Sequence, residues 1–304
     1  MAALNQRKLF AGWADYGSKR PFVERFLKQI HHTLWMGCQL LLQLKRPPVL
    51  LVWPEMPSKR TALHKMARRL GWEITNHPRN QKIGGIRFAD STEKGQQFNP
   101  PPIMRLETWL NHHCSDIRKQ TLENAHYQAF GYGMSVDPLV HQGPMVVKSD
   151  LNAQHDGKII NGPIGQDAIN NDSVYQINID NRTEDGRFFD YRVVWIHGEI
   201  PVIYQKFKRA SERFTNETCE VLLLNDQGCF SETEIDSIAR LNRIMGIDYA
   251  ELDVLRDAGS EKIYVVDINP TPWGPPTGLN HDDSDAAIER MAESLQRAFL
   301  ESNK

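Results

Sequence analysis

The segment "AELDVLRDAGSEKIYVVDINPTPWGPP", residues 250–276, decides the fold. Two β-rich runs, 250–256 and 263–269, flank "DAGSEK", whose Asp, Gly and Ser are turn formers, so the segment predicts a β-hairpin. The second run starts Ile263-Tyr264-Val265-Val266, as a buried strand does, yet ends on an acid, Asp267, and an amide, Asn269. Pro270, Pro272, Pro275 and Pro276 then bar any continuation of strand or helix. Side chains alternate along a strand, so Asp267 and Asn269 share a face and Ile268 points away. Hairpin pairing brings Asp253 near Val266 and Asp267. Two carboxylates about 5 Å apart across a strand pair repel unless a cation sits between them. Hard oxygen ligands of this kind suit magnesium, which keeps waters and takes phosphate oxygens of a nucleotide. An ordinary acidic hairpin end is the plain alternative.

Two more charged residues sit inside apolar strands. Lys148 follows "PMVV", where an unpaired buried ammonium is costly, and a strand lysine aimed into a cleft holds phosphates as a point charge. In "FDYRVVWIHGEIPVIYQKF", Asp190, Arg192 and Val194 alternate against Tyr191, Val193 and Trp195. The planar fork of Arg192 stays charged and needs partners, with Asp190 as one candidate. Lys206 is the matching cation on the return strand. Whether it shares the face of Arg192 depends on the turn at His197-Gly198: a two-residue loop puts them on opposite faces, a three-residue loop on the same one.

Toward the N-terminus, the strand-like runs 145–150 and 174–179 precede 188–196 and 200–207. A helix over 231–246 starts with a capping box, Ser231 and Glu234, and a last helix spans about 284–302. "CSDIRKQTLENAHYQAFGYG" (114–133) predicts a helix capped by Ser115 or Asp116 and ended by Gly131 or Gly133. Before it, "VLLVW" (49–53), a helix with Ser58 as N-cap and Leu63, Met66, Ala67 and Leu70 at helical spacing, and "GIRFAD" (85–90) form a β-α-β order, hence a small open α/β unit. Residues 20–45 read as one or two helices stopped by Pro47-Pro48.

The chain has 304 residues and a net charge of -2, which implies no general nucleic-acid partner. Residues 1–50 are locally basic, with eight Lys and Arg against Asp15 and Glu24. This segment suits an anionic substrate, a partner, a membrane surface or simply a solvated helix face. Its apolar patch "LWMGCQLLLQL" (34–44) is half a membrane span and a candidate interface for a second copy. Four scattered cysteines with no CxxC pair argue against zinc and for reduced thiols in a cytoplasm. The adjacent histidine pairs do not share a face. No G-x-x-x-x-G-K-[ST], G-x-G-x-x-G or G-x-S-x-G is present, so Ser/His/Asp chemistry has no anchor.

In order, Lys148, "VYQINID", Arg192, Asp253 and "DIN" resemble the ATP-grasp superfamily over about residues 115–280. The most specific part is the family's D…E-x-N-x-x-P, met here by Asp253, Asp267, Asn269 and Pro272 with Asp in place of Glu. The shorter acid can still ligate magnesium, with one oxygen rather than two as an open alternative. The resemblance implies an α/β (α+β) architecture. An ATP-grasp domain (115–304) has two lobes, 115–185 with the hinge and 186–304 with the metal, clasping ATP. Before it stand a small open α/β domain (48–114) and an N-terminal basic helical segment (1–47). It implies a phosphate role for Lys148 and a second nucleotide lysine at Lys119, with Arg118 as competitor. Gln176 flanks adenine, and Asn178 and Asp180 are ribose candidates. Arg192 stabilises an acyl phosphate, with Lys206 beside it. Magnesium, as two ions with manganese as a substitute, is held by Asp253, Asp267 and Asn269. The family's glycine-rich phosphate loop is absent, since "LNAQHDGK" has only Gly157.

The implied activity is an ATP-dependent ligase joining a small carboxylate to an amine. A kinase that stops at phosphate transfer is the alternative. A non-catalytic nucleotide-binding protein is a second, and it predicts that a metal ligand or Arg192 is missing.

Overall fold

The apolar run at 49–53 forms strand β1 (Val49–Pro54), with four successive side chains buried, as a strand covered on both faces requires. In the computed structural model the described residues are 47–77, 82–89, 98–102, 106, 108–152, 154, 156–215, 217–225 and 228–300, plus helical positions 26, 27, 29–31, 33 and 34. The patch at 35–44 and Cys38 lie outside them.

Helix α1 (Ala62–Leu70) follows β1, then β2 (Glu73–Thr75), β3 (Lys82–Phe88) and β4 (Trp109–Leu110). These four strands make a parallel sheet in the order β2-β1-β3-β4. Ser58 is not the N-cap of α1. Thr61 is, its Oγ1 accepting from the His64 N–H at 3.3 Å. Helix α2 (Lys119–Phe130) starts after Arg118, with neither Ser115 nor Asp116 as cap, and ends at Gly131 in the left-handed region. Asp116 Oδ1 instead accepts from the Arg118 N–H, one step outside the helix.

Strands β5 (Gly143–Ser149), β6 (Lys158–Gly162) and β7 (Ser173–Ile177) form an antiparallel sheet in the order β6-β5-β7. The large antiparallel sheet runs β10-β9-β8-β11-β12. Its strands are β8 (Phe188–Ile196), β9 (Glu199–Lys208), β10 (Glu220–Leu223), β11 (Tyr249–Arg256) and β12 (Ile263–Asn269). Helix α3 (Glu232–Met245) carries the expected capping box at Ser231 and Glu234. Helix α4 (His281–Leu300) begins three residues before the expected start. Strands β6 and β10 fall in segments that the sequence reading does not assign to strands.

One face of the large sheet, with Val193, Leu252, Val254, Val265 and Ile268, packs on α2 and α3 through Leu122, Ala125, Ile238 and Leu241. The opposite face is divided. Val194, Ile196, Val202, Tyr204 and Tyr249 pack with α4, α1 and the Leu50 and Val52 face of β1. Each such buried aliphatic contributes about 1.5–3 kcal/mol relative to exposure. Beyond this apolar half, the same face carries the charged residues of the hairpin and of β8. Among the described residues no helix is long and apolar enough to cross a membrane.

The β8–β9 turn decides where Lys206 points. It has two residues, His197 at φ 44° and Gly198 at φ 95°, the positive pair that suits a tight hairpin. Such a loop alone would put Lys206 on the far face. The register shifts between Val194 and Ile196, however, and this bulge brings Lys206 opposite Asp190 and Tyr204 opposite Arg192. Lys206 therefore shares the face of Arg192.

Candidate active site

The β11–β12 register pairs Asp253 with Asp267 and Glu251 with Asn269. All four side chains share one face, because paired residues of antiparallel strands point the same way and alternation skips Leu252 and Ile268. On its other side Asp253 pairs with Arg192 of β8. Arg192 Nε donates to Asp253 Oδ1 at 2.9 Å and Nη2 to Oδ2 at 3.2 Å, a two-point clamp. Its Nη1 lies 3.5 Å from Glu251 Oε2. Lys206 pairs with Asp190 at 3.3 Å, both nearly buried, and Lys208 approaches the same acid at 3.6 Å.

Two lysines approach this face from other elements. Lys119, the first residue of α2, reaches Asp267 Oδ1 and the Leu151 carbonyl, each at 3.3 Å. Lys148, on β5, donates to the Val266 carbonyl at 3.3 Å. Arg118, the competitor for the second lysine's role, is spent on Asp116 and Asp150. Lys119 and Lys148 thus stand beside the hairpin end that carries Asp267.

The charges act on one another. Burial lowers the Lys148 ammonium to about 8, helped by Lys119 and opposed by Asp267, Glu123 and Asp253. Burial raises the Asp267 carboxyl; Lys119 and Lys148 oppose the rise and Asp253 adds to it. Burial also acts to raise Asp253, but Arg192 and Lys206 outweigh it and hold this carboxyl well below the usual range. Glu251, only 2 % exposed, is pushed up to about 7, chiefly by burial.

Asp253, Asp267 and the Asn269 amide are hard oxygen donors, and the mutual repulsion of the two acids is what a cation there relieves. Their chemistry fits magnesium. Among the described residues no three His, Cys, Asp or Glu side chains are gathered as a ready metal cage. Asp253 is turned to Arg192, and Asn269 Oδ1 accepts from Thr271 N at 3.0 Å and from Thr271 Oγ1 at 3.3 Å.

The other expected positions hydrogen-bond to partners outside this cluster, although Glu123, the partner of Gln176, acts on Lys148. Gln176, on β7, donates to Glu123 Oε1 at 2.6 Å and is buried. Asn178 Oδ1 accepts from Arg213 Nη1 at 2.8 Å, and Arg213 Nη2 also holds the Ile179 carbonyl at 2.6 Å. Asp180 is tied to Arg182 at 2.6 Å, and its backbone N–H to Asp257, rather than to the lysines. Sequence reading passed over Glu123, Arg213 and Glu251. Only Glu251 had a usable signal: it lies two residues before Asp253 in an otherwise apolar strand, hence on the same face.

The sequence matches no family model and no curated protein. Solved structures do match the fold. The VanG D-Ala:D-Ser ligase from Enterococcus faecalis aligns with 84 % of this chain and 100 % of its own, at a TM-score of 0.55 and 8 % identity. The D-alanine–D-alanine ligase from Bacillus anthracis, solved with ATP, aligns with 84 % of this chain and 98 % of its own, at 0.52 and 13 %. The ATP-grasp ligase PsnB, solved with a minimal precursor, Mg and ADP, aligns with 81 % of this chain and 98 % of its own, at 0.50 and 10 %.

Proposed function

We propose that this chain, which has the ATP-grasp fold, is an ATP-dependent ligase that joins a carboxylate to an amine through an acyl phosphate, releasing ADP and phosphate. The observation that carries this reading is the approach of Lys119 and Lys148 to the face shared by Arg192, Asp253, Asp267 and Asn269. Lys148 and Lys119 hold the phosphates as point charges. Gln176 flanks the adenine and Asn178 meets the ribose, with Asp180 as a further ribose contact once released from Arg182. Asp253, Asp267 and Asn269 would hold magnesium, as one ion or two with manganese as a substitute, which when bound neutralises charge on the β- and γ-phosphates.

In this reading residues 48–114 precede the lobes 115–185 and 186–304 and help hold the acceptor. A carboxylate oxygen of the first substrate attacks the γ-phosphorus, and the bond to the ADP oxygen breaks. Arg192 stabilises the charge on the transferring group, with Lys206 beside it on the same face. The amine attacks the acyl carbon, loses a proton, and phosphate leaves. No enzyme nucleophile is required.

The test is product release from magnesium-ATP with pooled carboxylates and amines. ADP and free phosphate that require both an acid and an amine establish the ligase. ADP with the phosphate left on the acceptor makes the chain a kinase. AMP overturns the acyl-phosphate route.

The lowered Lys148 ammonium gives a pH signature. Above about pH 8 much of Lys148 is neutral in the free protein, and phosphates that bind it draw the proton back on. Nucleotide binding at pH 9 is therefore expected to take up close to one proton on Lys148, and below pH 7 almost none. Calorimetric titration with AMPPNP in two buffers of different ionisation enthalpy reads this directly. The uptake at pH 9 should vanish in Lys148→Met; uptake that persists there assigns the proton elsewhere.

A further inference from the structure

Glu251 is a buried carboxylate for which the reaction above has no use. Both of its oxygens are buried without a hydrogen-bond partner. An ionised group left this way is costly, so a partner is expected in some state of the molecule. Gly274 roofs it: a Cβ there would stand 3.1 Å from Glu251 Oε1. Lys65, the cation on α1 nearest this roof, donates instead to the Gly274 carbonyl. Lys206 is committed to Asp190. The Tyr204 and Tyr249 hydroxyls, on which the Glu251 charge also acts, are likewise buried without a hydrogen-bond partner and carry no charge. Among the cations that leaves the guanidinium of Arg192, whose Nη1 is 3.5 Å from Glu251 Oε2 while Nε and Nη2 occupy both oxygens of Asp253.

Arg192 thus blocks an acid assigned to the metal, and that acid holds an arginine assigned to the acyl phosphate. Both roles cannot be filled in this arrangement. We infer that Glu251 is a positioning residue that receives the Arg192 guanidinium when a divalent cation takes Asp253, so that metal binding and readiness of the arginine are one exchange. The geometry makes the move short. Glu251 and Asp253 are i and i+2 on one strand face, and about 0.6 Å of approach brings Nη1 to charge-assisted hydrogen-bond length. The orphaned oxygens of Glu251 explain why the exchange is affordable: Arg192 trades one carboxylate for another rather than for nothing. The inference rests on the metal set of the proposed ligase and adds a residue that set does not contain.

The test is Mn2+ binding followed by electron paramagnetic resonance in the presence of AMPPNP, for the parent, Glu251→Gln, Arg192→Lys and the double variant. Without Glu251, Arg192 stays on Asp253 for more of the time, and apparent affinity falls with the fraction of open sites. Glu251→Gln is expected to weaken Mn2+ about tenfold in the parent and less than about threefold in Arg192→Lys, whose single ammonium cannot span both acids. Equal weakening in both backgrounds overturns the exchange, since it reports only a lost neighbouring charge; no weakening in either overturns it too. A parent that binds no Mn2+ with AMPPNP removes the metal set itself, and the exchange falls with it. A crystal structure with AMPPNP and magnesium stands independently of how the variants fold. Arg192 hydrogen-bonded to Glu251 with Asp253 turned away from it supports the exchange, and Arg192 still clamped on Asp253 ends it.

Discussion

Asp267→Ala is expected to abolish magnesium-ATP turnover while leaving the fold intact. Asp267 offers its carboxylate to the metal set, and charge stabilisation by a bound ion is worth several kcal/mol in the transition state. Its loss corresponds to a fall on the order of 10³-fold in kcat/KM. Stability should barely change. Burial and the Asp253 charge already disfavour the ionised carboxyl, although Lys119 and Lys148 act in its favour. Removing one acid from a repelling pair therefore costs little, and Lys119 keeps the Leu151 carbonyl. The expected stability change is within about 1 kcal/mol. ADP release and a thermal melt on the same preparation decide it. A variant that unfolds without a specific loss of ATP chemistry would return Asp267 to a structural role.

Arg192→Met should do the opposite to stability. It leaves Asp253 and Glu251 facing each other without the cation between them, and both are held in a largely apolar sheet. Breaking a fully buried pair by removing one partner costs about 3–5 kcal/mol. Arg192 and Asp253 are about a quarter exposed, so roughly 2–4 kcal/mol is expected here. For a chain of this size that lowers the melting temperature by about 5–10 °C. Turnover should fall as well, because the transferring phosphoryl group loses its arginine. A melt unchanged from the parent would mean that the clamp on Asp253 is absent in solution. The contrast between the two substitutions, on either side of Asp253 on one sheet face, tests the sign of the local field as well as its size.

Much of this face was readable from the chain. Strand β8 runs from Phe188 to Ile196 and β12 from Ile263 to Asn269, the bounds of their apolar runs. Helix α3 starts where Ser231 and Glu234 announce it, and both bonds of the capping box form. The failures share one cause. Strands β6 and β10 are short edge strands with exposed residues, and their strand state comes from pairing to β5 and β9 rather than from their own pattern. Thr61 displaces Ser58 as cap because its backbone bridges to Trp273 and the Ala62 N–H is held by the Pro272 carbonyl, contacts made some 210 residues away in sequence. Glu251 was legible as a strand residue on the face of Asp253. Its burial was not, because the roof over it is Gly274.

What the sequence alone determined is the chemistry and its alternation: a hairpin ending in Asp253, Asp267 and Asn269, an arginine inside an apolar strand, and a lysine inside another. These are local properties, set by a side-chain period of two and by which residues a strand tolerates. What the tertiary structure decided is which of these residues meet. Strand β8 lies beside β11, although 61 residues separate Arg192 from the acid it clamps. Helix α2 sets Lys119 on Asp267 from 148 residues away. One extra residue in β9, between Glu199 and Val202, moves Lys206 to the working face. The reason is that pairing between distant strands is a choice of neighbour and register, and a slip of one residue reverses every side chain on the strand. Local pattern says which residues share a strand face; only the packed sheet says whose charges that face will meet.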